Sequence, residues 1–126
     1  MSQSCFIVKK EKEGGCKGIY CHHDYGNTLS ILNTFYDSDA KADSLINLGA
    51  LSELGSDTVS NFEENFYFQD DTMPKGCKDY HRWRGEDIKI IKTNTLEEMK
   101  DIIVKSWCVS GYMYFNNCWK EIKLEA

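Results

Sequence analysis

The chain has little proline and no long hydrophobic run, and each shortage excludes a class of protein. One proline in 126 residues argues against a proline-rich linker or a collagen-like repeat. No apolar stretch approaches the roughly 20 residues that cross a bilayer. The first residues also lack the basic-then-apolar order of a signal peptide. We therefore expect a soluble cytoplasmic protein that does not associate with membranes.

A positive net charge is also missing. Lys and Arg number 15 against 20 Asp and Glu, which gives a formal net charge of −5. Proteins that bind nucleic acid through its phosphates usually carry a basic excess, so we do not expect general nucleic-acid binding. The apolar share of 41% is typical of a globular protein, and the length suits one domain spanning residues 1–126.

The six cysteines include no Cys-x-x-Cys pair. A cytoplasmic protein keeps its thiols reduced, so we expect buried, inert cysteines and no cofactor. One loose zinc pattern is the alternative, with three thiolates and one imidazole as ligands. Its members are Cys16, Cys21, Cys77 and His81.

The first half of the chain alternates strand and helix signals. Residues 5–8 and 17–23 are typical of two strands, and Gly14-Gly15 between them predicts a hairpin. Helical spacing follows in residues 29–36 and 42–46, and residues 51–54 suggest one further helical turn. Residues 56–78 are polar and aromatic without periodicity, which indicates a long surface segment.

The last third has the clearest pattern. Residues 88–92 indicate a strand, and Thr95 with Glu98 forms a capping box for a helix that we expect to end at Gly111. Asn116-Asn117 is a turn signal between two final strands. The order β-β-α-α-β-α-β-β predicts an α+β fold, with a mostly antiparallel sheet and helices packed on one face. The apolar face of the capped helix consists of Leu96, Met99, Ile102, Ile103 and Trp107.

Two short segments hold most of the side chains capable of chemistry. GIYCHHDYG (residues 18–26) and YHRWRGED (residues 80–87) contain all three histidines and the only two arginines. The planar arginine fork suits bidentate recognition of phosphate or carboxylate. We expect the two segments to lie close together and to form a binding site held mainly by the arginines. The candidate binding residues are His22, His23, Asp24, Tyr80, His81, Arg82, Arg84 and Glu86.

Each of these features also has a structural interpretation. Asp24 can cap the helix that begins near Asn27. Arg82 and Arg84 can pair with nearby carboxylates and tie the long surface segment to the sheet. The remaining aromatic residues of the C-terminal third are expected in the core or on a sheet face, and these are Trp107, Tyr112, Tyr114 and Trp119.

The two motifs resemble those of a family of small phage, prophage and plasmid proteins. That family typically has GIYCHWDGY, then LIxLGDLSxLG and YHRDRGE, and here we find GIYCHHDYG, LINLGALSELG and YHRWRGE in the same order. The resemblance covers most of residues 16–124. His23 replaces a tryptophan, Tyr25-Gly26 reverses the usual order, and Trp83 replaces an aspartate between the arginines. No role of that aspartate is carried over.

Three classes of function remain open. The resemblance implies a mobile-element accessory protein, which would bind without catalysis and either block a host defence protein, as an anti-CRISPR-like inhibitor does, or sequester a phosphate-bearing nucleotide signal in the host cytoplasm. A metal-dependent phosphodiesterase or nuclease using His22, Asp24 and His81 is the first alternative. The second is a module that acts only through protein contacts. The oligomeric state stays open, with a homodimer among the options.

Overall fold

The computed structural model of the chain describes residues 4–22, 24, 26–59 and 76–124. These residues form one seven-stranded sheet with four helices. The elements in chain order are β1 (Cys5–Lys10), β2 (Cys16–Cys21), α1 (Thr28–Phe35), α2 (Asp39–Ile46), β3 (Leu51–Glu53), β4 (Lys78–Asp79), α3 (Tyr80–Arg84), β5 (Ile91–Thr93), α4 (Leu96–Lys105), β6 (Ser110–Phe115) and β7 (Cys118–Glu121).

The predicted hairpins are confirmed at both ends of the chain. β1 and β2 pair antiparallel along their whole length, and Gly14 in their turn has a φ of +99°, which few other residues adopt. β6 and β7 pair around Asn116 and Asn117, whose φ angles of 55° and 69° are those of a tight hairpin turn. Local turn chemistry therefore decides four of the seven strands.

The strands lie in the order β4-β3-β2-β1-β6-β7, and β5 pairs with the first half of β2. Four of the six strand pairs are antiparallel, and the β1–β6 and β2–β3 pairs are parallel. The α+β class and the mostly antiparallel sheet are thus confirmed. The two parallel pairs are possible because helical segments carry the chain back across the sheet between those strands.

The expectation that the helices pack on one face is wrong, because they cover both faces. Ile7 of β1 belongs to the core that α1 and α2 cover, whereas Phe6 and Val8 belong to a second core beneath α4. α4 buries Met99 and Ile103 in this second core. β1 is a central strand with apolar side chains on both sides, a pattern typical of a sheet covered on both faces.

The helix that follows Thr95 begins as predicted but ends earlier. The Thr95 hydroxyl accepts the Glu98 amide at 3.1 Å, and the Glu98 carboxylate accepts the Thr95 amide at 3.2 Å, which completes the capping box. α4 then ends at Lys105, not at Gly111, because Trp107 has a φ of 62°. Trp107 is 90% exposed, so its expected place in the core is also wrong.

Two further expectations in the middle of the chain are wrong. Residues 51–54 form no helical turn but contain β3, which is buried between β2 and β4. The strand expected at residues 88–92 begins only at Ile91. The sequence does not predict β4 and α3, because pairing with β3 stabilises β4, and a side-chain cap and ion pair stabilise the short α3. Such stabilisation leaves no periodicity in the sequence.

The β7 edge of the sheet is closed by a side chain. The Asn33 amide group of α1 donates to the Trp119 carbonyl at 3.2 Å and accepts from the Trp119 amide at 2.9 Å. Asn33 thus occupies the outward-facing groups of Trp119, as a neighbouring strand would. Trp119 itself is buried, as the sequence predicts. Within the described ranges, no helix has the length and apolar character needed to cross a membrane.

Candidate functional site

β3 brings the two motifs together. The His22 amide at the end of β2 donates to the Leu51 carbonyl at 2.9 Å, and the Tyr80 amide donates to the Ala50 carbonyl at 3.2 Å. Adjacent residues of one segment, Ala50 and Leu51, therefore bind the backbone of both motifs. The expectation that the two segments meet is confirmed for His22, Tyr80 and Glu86, which line one cleft.

This cleft lies at the C-terminal end of β2, on the sheet face that α4 covers, and has a volume of about 370 Å³. Phe6 and Tyr20 stand opposite each other in the β1–β2 pair, with their rings edge to face at 6.2 Å. Tyr20 Oη lies 3.0 Å from His22 Nδ1, a hydrogen bond that orients the imidazole. The complete lining is Phe6, Tyr20, His22, Ala50, Tyr80, Glu86, Asp87, Lys89, Ile91 and Ser106.

Arg82 has a structural role within α3. The buried Asp79, 1% exposed, caps this helix by accepting the Arg82 amide at 3.0 Å. The same carboxylate accepts Arg82 Nε at 2.6 Å, and an Arg82 terminal nitrogen donates to the Thr58 carbonyl at 2.6 Å. The geometry thus favours the structural interpretation of Arg82, which ties residues near 58 to α3.

Arg84 is presented on the surface instead. Its guanidinium lies 4.3 Å from the Trp83 ring centroid and 5.3 Å from that of Tyr80, and the Lys78 ammonium lies 4.5 Å from the Trp83 ring. None of the five side chains of α3 is buried, and Trp83 is 37% exposed. We call Lys78, Tyr80, Trp83 and Arg84 the aromatic–cation stack.

His81 and Glu86 close the C-terminal end of α3. His81 Nδ1 lies 2.7 Å from the Glu86 carbonyl, and Gly85 between them has a φ of 74°, which ends the helix. The Glu86 carboxylate lies 3.6 Å from Arg84 NH1 in an exposed ion pair. These contacts orient the chain from α3 towards the cleft, which the next residues line.

Asp24 is engaged on the opposite face of the sheet from His22. Its carboxylate accepts the hydroxyls of Ser110 at 2.6 Å, Tyr112 at 2.7 Å and Thr28 at 2.9 Å, and the Gly26 amide at 3.0 Å. Burial opposes ionisation of Asp24, but these four hydrogen bonds outweigh it, so the pKa of Asp24 lies below its usual value. Asp24 therefore fastens the turn between β2 and α1 to β6. The N-cap residue of α1 is Asn27, so the expectation that Asp24 caps this helix is wrong.

The residues of the metal-dependent alternative are dispersed. His22 bonds to Tyr20 on the α4 face, Asp24 bonds to β6 on the other face, and the exposed His81 bonds to the Glu86 backbone. Within the described part of the chain, no group of three His, Cys, Asp or Glu side chains is arranged to hold a metal. His23 is a candidate binding residue that lies outside the described residues.

The loose zinc pattern is also incompatible with the fold. Cys16 packs in the core beneath α4, whereas Cys21 and Cys77 pack in the core beneath α1 and α2. All six cysteines are free thiols, and five of them are buried. Burial raises the pKa of Cys77 to about 11, which keeps this thiol protonated and unreactive. The thiols thus pack as small apolar groups.

Sequence reasoning found His22, Tyr80 and Glu86 but missed the rest of the cleft. Phe6 and Ser106 lie outside both motifs, Asp87 ends the second motif without being a candidate, and Lys89 stands where the sequence suggests a strand. One signal was available for Phe6, because the hairpin register places it opposite Tyr20. No such local signal exists for Ser106, which reaches the cleft only because α4 packs on this face.

The chain matches no protein-family model, no curated protein and no solved structure. The resemblance to phage and plasmid proteins therefore stays an expectation from the motifs. The aromatic–cation stack and the cleft beside it carry the functional argument.

Proposed function

We propose that this chain is a small accessory protein of a phage or other mobile element that acts by non-enzymatic binding and blocks a host defence protein. The aromatic–cation stack on α3 is the observation that carries this proposal. The motif resemblance supplies the setting, and the surface of α3 supplies the binding chemistry.

The stack has the composition of a protein-binding hot spot. Tryptophan, tyrosine and arginine dominate the residues that contribute most energy to protein interfaces. Here Trp83 and Arg84 stand side by side on an exposed helix, and Tyr80 lies one turn before Arg84. Because the cations already pack on the rings, less side-chain entropy is lost when a partner binds.

The positive charge of the stack favours a partner with an acidic surface. Lys78 and Arg84 present two positive groups on a chain whose net charge is −5. A carboxylate-bearing surface on the partner would pair with the Arg84 fork and pack against Trp83. A phosphate-bearing nucleotide would use the same ring and guanidinium, so sequestration of a nucleotide signal is the second form of the proposal.

The enzyme alternative receives less support from the geometry. His22, Asp24 and His81 point to three different environments, and Asp24 already accepts four hydrogen bonds. A general acid–base pair must reach one reacting atom together. The second alternative, a module that acts only through protein contacts, would use the same surface of α3. It differs from our proposal only in that its partner is not a host defence protein.

The test is phage plating on a panel of hosts, each with one defence system, some of which signal through nucleotides. The parent chain should restore plating on at least one host. Trp83→Ala and Arg84→Gln should abolish this protection because they remove the ring and the fork. Trp107→Ala is the matched control, since it removes another exposed tryptophan, one that is not part of the stack.

Circular dichroism should show that all three variants are folded. Nucleotide released from the denatured parent protein would select the sequestration form. Protection that survives both stack variants, or that is lost equally with Trp107→Ala, would contradict the role of the stack. A parent chain that restores plating on no host would contradict the counter-defence function.

A further inference from the structure

The cleft beside α3 has a chemistry different from that of the aromatic–cation stack. Two acidic residues, Glu86 and Asp87, and one basic residue, Lys89, are among those that line it. Phosphate and carboxylate ligands would face a net negative rim here, so the cleft does not suit the anions that the stack suits.

The end of α4 adds to this negative character. Ser106 lines the cleft and is the C-cap of α4, a helix of 10 residues. The C-terminal end of a helix carries a partial negative charge and stabilises cations near it. The carboxylates and the helix end come from different parts of the chain, so two independent features give the cleft the same polarity.

Aromatic rings form the walls. Phe6, Tyr20 and Tyr80 come from β1, β2 and α3 and line the cleft together with His22, and of the three rings those of Tyr20 and Tyr80 belong to partly exposed residues. Aromatic faces attract organic cations, and this attraction is stronger where water is partly excluded. A cleft of about 370 Å³ is large enough for the end of one long side chain or a small molecule.

We infer that this cleft binds an organic cation, the guanidinium or ammonium end of an arginine, a lysine or a small amine. The rings would pack against the cation and its apolar stem, and the carboxylates would accept its hydrogens. Glu86 can turn to this ligand because its ion pair with Arg84 is exposed and 3.6 Å long, a type worth little in water.

The test is an NMR titration of the full chain with Nα-acetylarginine methylamide. The citrulline analogue is the matched probe, because it has nearly the same shape without the charge. We expect saturable shifts at the amides of Tyr80, Glu86 and Lys89, with the arginine probe binding at least about tenfold more tightly than the citrulline probe. Putrescine, titrated separately, distinguishes the source, since tighter binding than the arginine probe would indicate a free amine as the ligand.

Two double variants locate the effect. Glu86→Gln with Asp87→Asn should weaken the arginine probe about tenfold, since both carboxylates of the cleft are lost. Glu97→Gln with Glu121→Gln removes the same charge from exposed sites outside the cleft and should leave the affinity within about twofold. Equal affinity for the arginine and citrulline probes, no saturable binding, or equal weakening in both double variants would overturn the inference.

The cleft and the stack share Tyr80, but Trp83, whose ring centroid lies 6.0 Å from that of Tyr80, does not line the cleft. Trp83→Ala removes the centre of the aromatic–cation stack but no residue of the cleft. It should leave arginine-probe binding unchanged while abolishing protection in the plating test. Cation binding lost in Trp83→Ala, while the protein remains folded, would overturn the assignment of the ligand to this cleft.

Discussion

Arg82 and Arg84 lie two residues apart in one helix, yet they serve two different regions of the molecule. Arg82 donates to the buried Asp79 and to the Thr58 carbonyl, and these hydrogen bonds hold α3 in place. Arg84 faces solvent and lies against the Trp83 ring. The same residue type in the same motif is thus structural in one position and available for binding in the other.

The same division runs through the first motif. Asp24 is held by four hydrogen bonds on one face of the sheet, while His22 lines the cleft on the other face. The motif residues, together with Asp79 just before the second motif, therefore form two sets. Asp24, Asp79 and Arg82 fasten the fold, and the residues of the stack and the cleft are presented for binding. Changes in the fastening set should alter stability, and changes in the presenting set should alter binding.

The largest stability effect is expected at Asp79. Asp79→Ala removes the α3 cap and leaves Arg82 without its carboxylate, and we expect a loss of about 2–4 kcal/mol in the free energy of unfolding. Urea denaturation followed by circular dichroism measures this loss. Asp101→Ala is the control, because its ion pair with Lys105 is exposed and its loss should cost less than about 1 kcal/mol. Equal losses in the two variants would contradict the fastening role.

Asp24→Asn should follow, with a loss of about 2–3 kcal/mol at neutral pH, because one amide oxygen cannot replace a carboxylate that accepts four donors. The pH dependence gives a second measurement. The pKa of Asp24 is lowered in the folded state, so its contribution is present above the unfolded pKa of about 4 and disappears as the pH falls through the folded pKa. The parent should therefore lose more stability than Asp24→Asn below about pH 4.

Asp43 contributes to the same acid response. Burial opposes its ionisation, but hydrogen bonds from Lys17 and Lys9 lower its pKa, so the Asp24→Asn variant should retain part of the slope. Identical acid profiles for the parent and Asp24→Asn would show that Asp24 is not a fastening carboxylate.

The arginine pair gives the sharpest comparison. Arg82→Lys should cost about 1–2 kcal/mol, because lysine cannot donate to Asp79 and Thr58 from one planar fork. Arg84→Lys should change stability by less than about 0.5 kcal/mol and weaken partner binding instead. Thermal unfolding measures the stability of both variants, and the plating test measures their binding function. Equal destabilisation by the two changes would remove the distinction between the regions.

A small effect of opposite sign is expected outside both motifs, at Trp107. It occupies the position after the α4 cap with a φ of 62°, while the Cys108 amide donates to the Ile103 carbonyl, a helix ending in which glycine is preferred. Trp107→Gly should stabilise the protein by about 0.5–1 kcal/mol, since it relieves this conformation and removes no buried contact. A stability loss measured by urea denaturation would show that the exposed ring packs on its surroundings.

Much of the fold follows from local sequence signals. Gly14 and the Asn116-Asn117 pair determine two hairpins, and Thr95 with Glu98 determines the start of α4. These signals are readable because a turn or a cap depends on a few consecutive residues. Part of the site could be predicted in the same way, because the histidines and arginines are concentrated in two short motifs that lie near the cleft and the stack.

Only the tertiary structure decided the rest. β3 has just three residues, and its pairing with β2 and β4 overrides the helical appearance of residues 51–54. The ion pair with the buried Asp79 gives Arg82 a structural role that Arg84 does not have. The packing of α4 brings Ser106 to the cleft. Each of these contacts joins residues according to burial and strand pairing, which depend on the whole chain. The sequence by itself determined which side chains were available, and the long-range contacts decided which of them fasten the fold and which face a ligand.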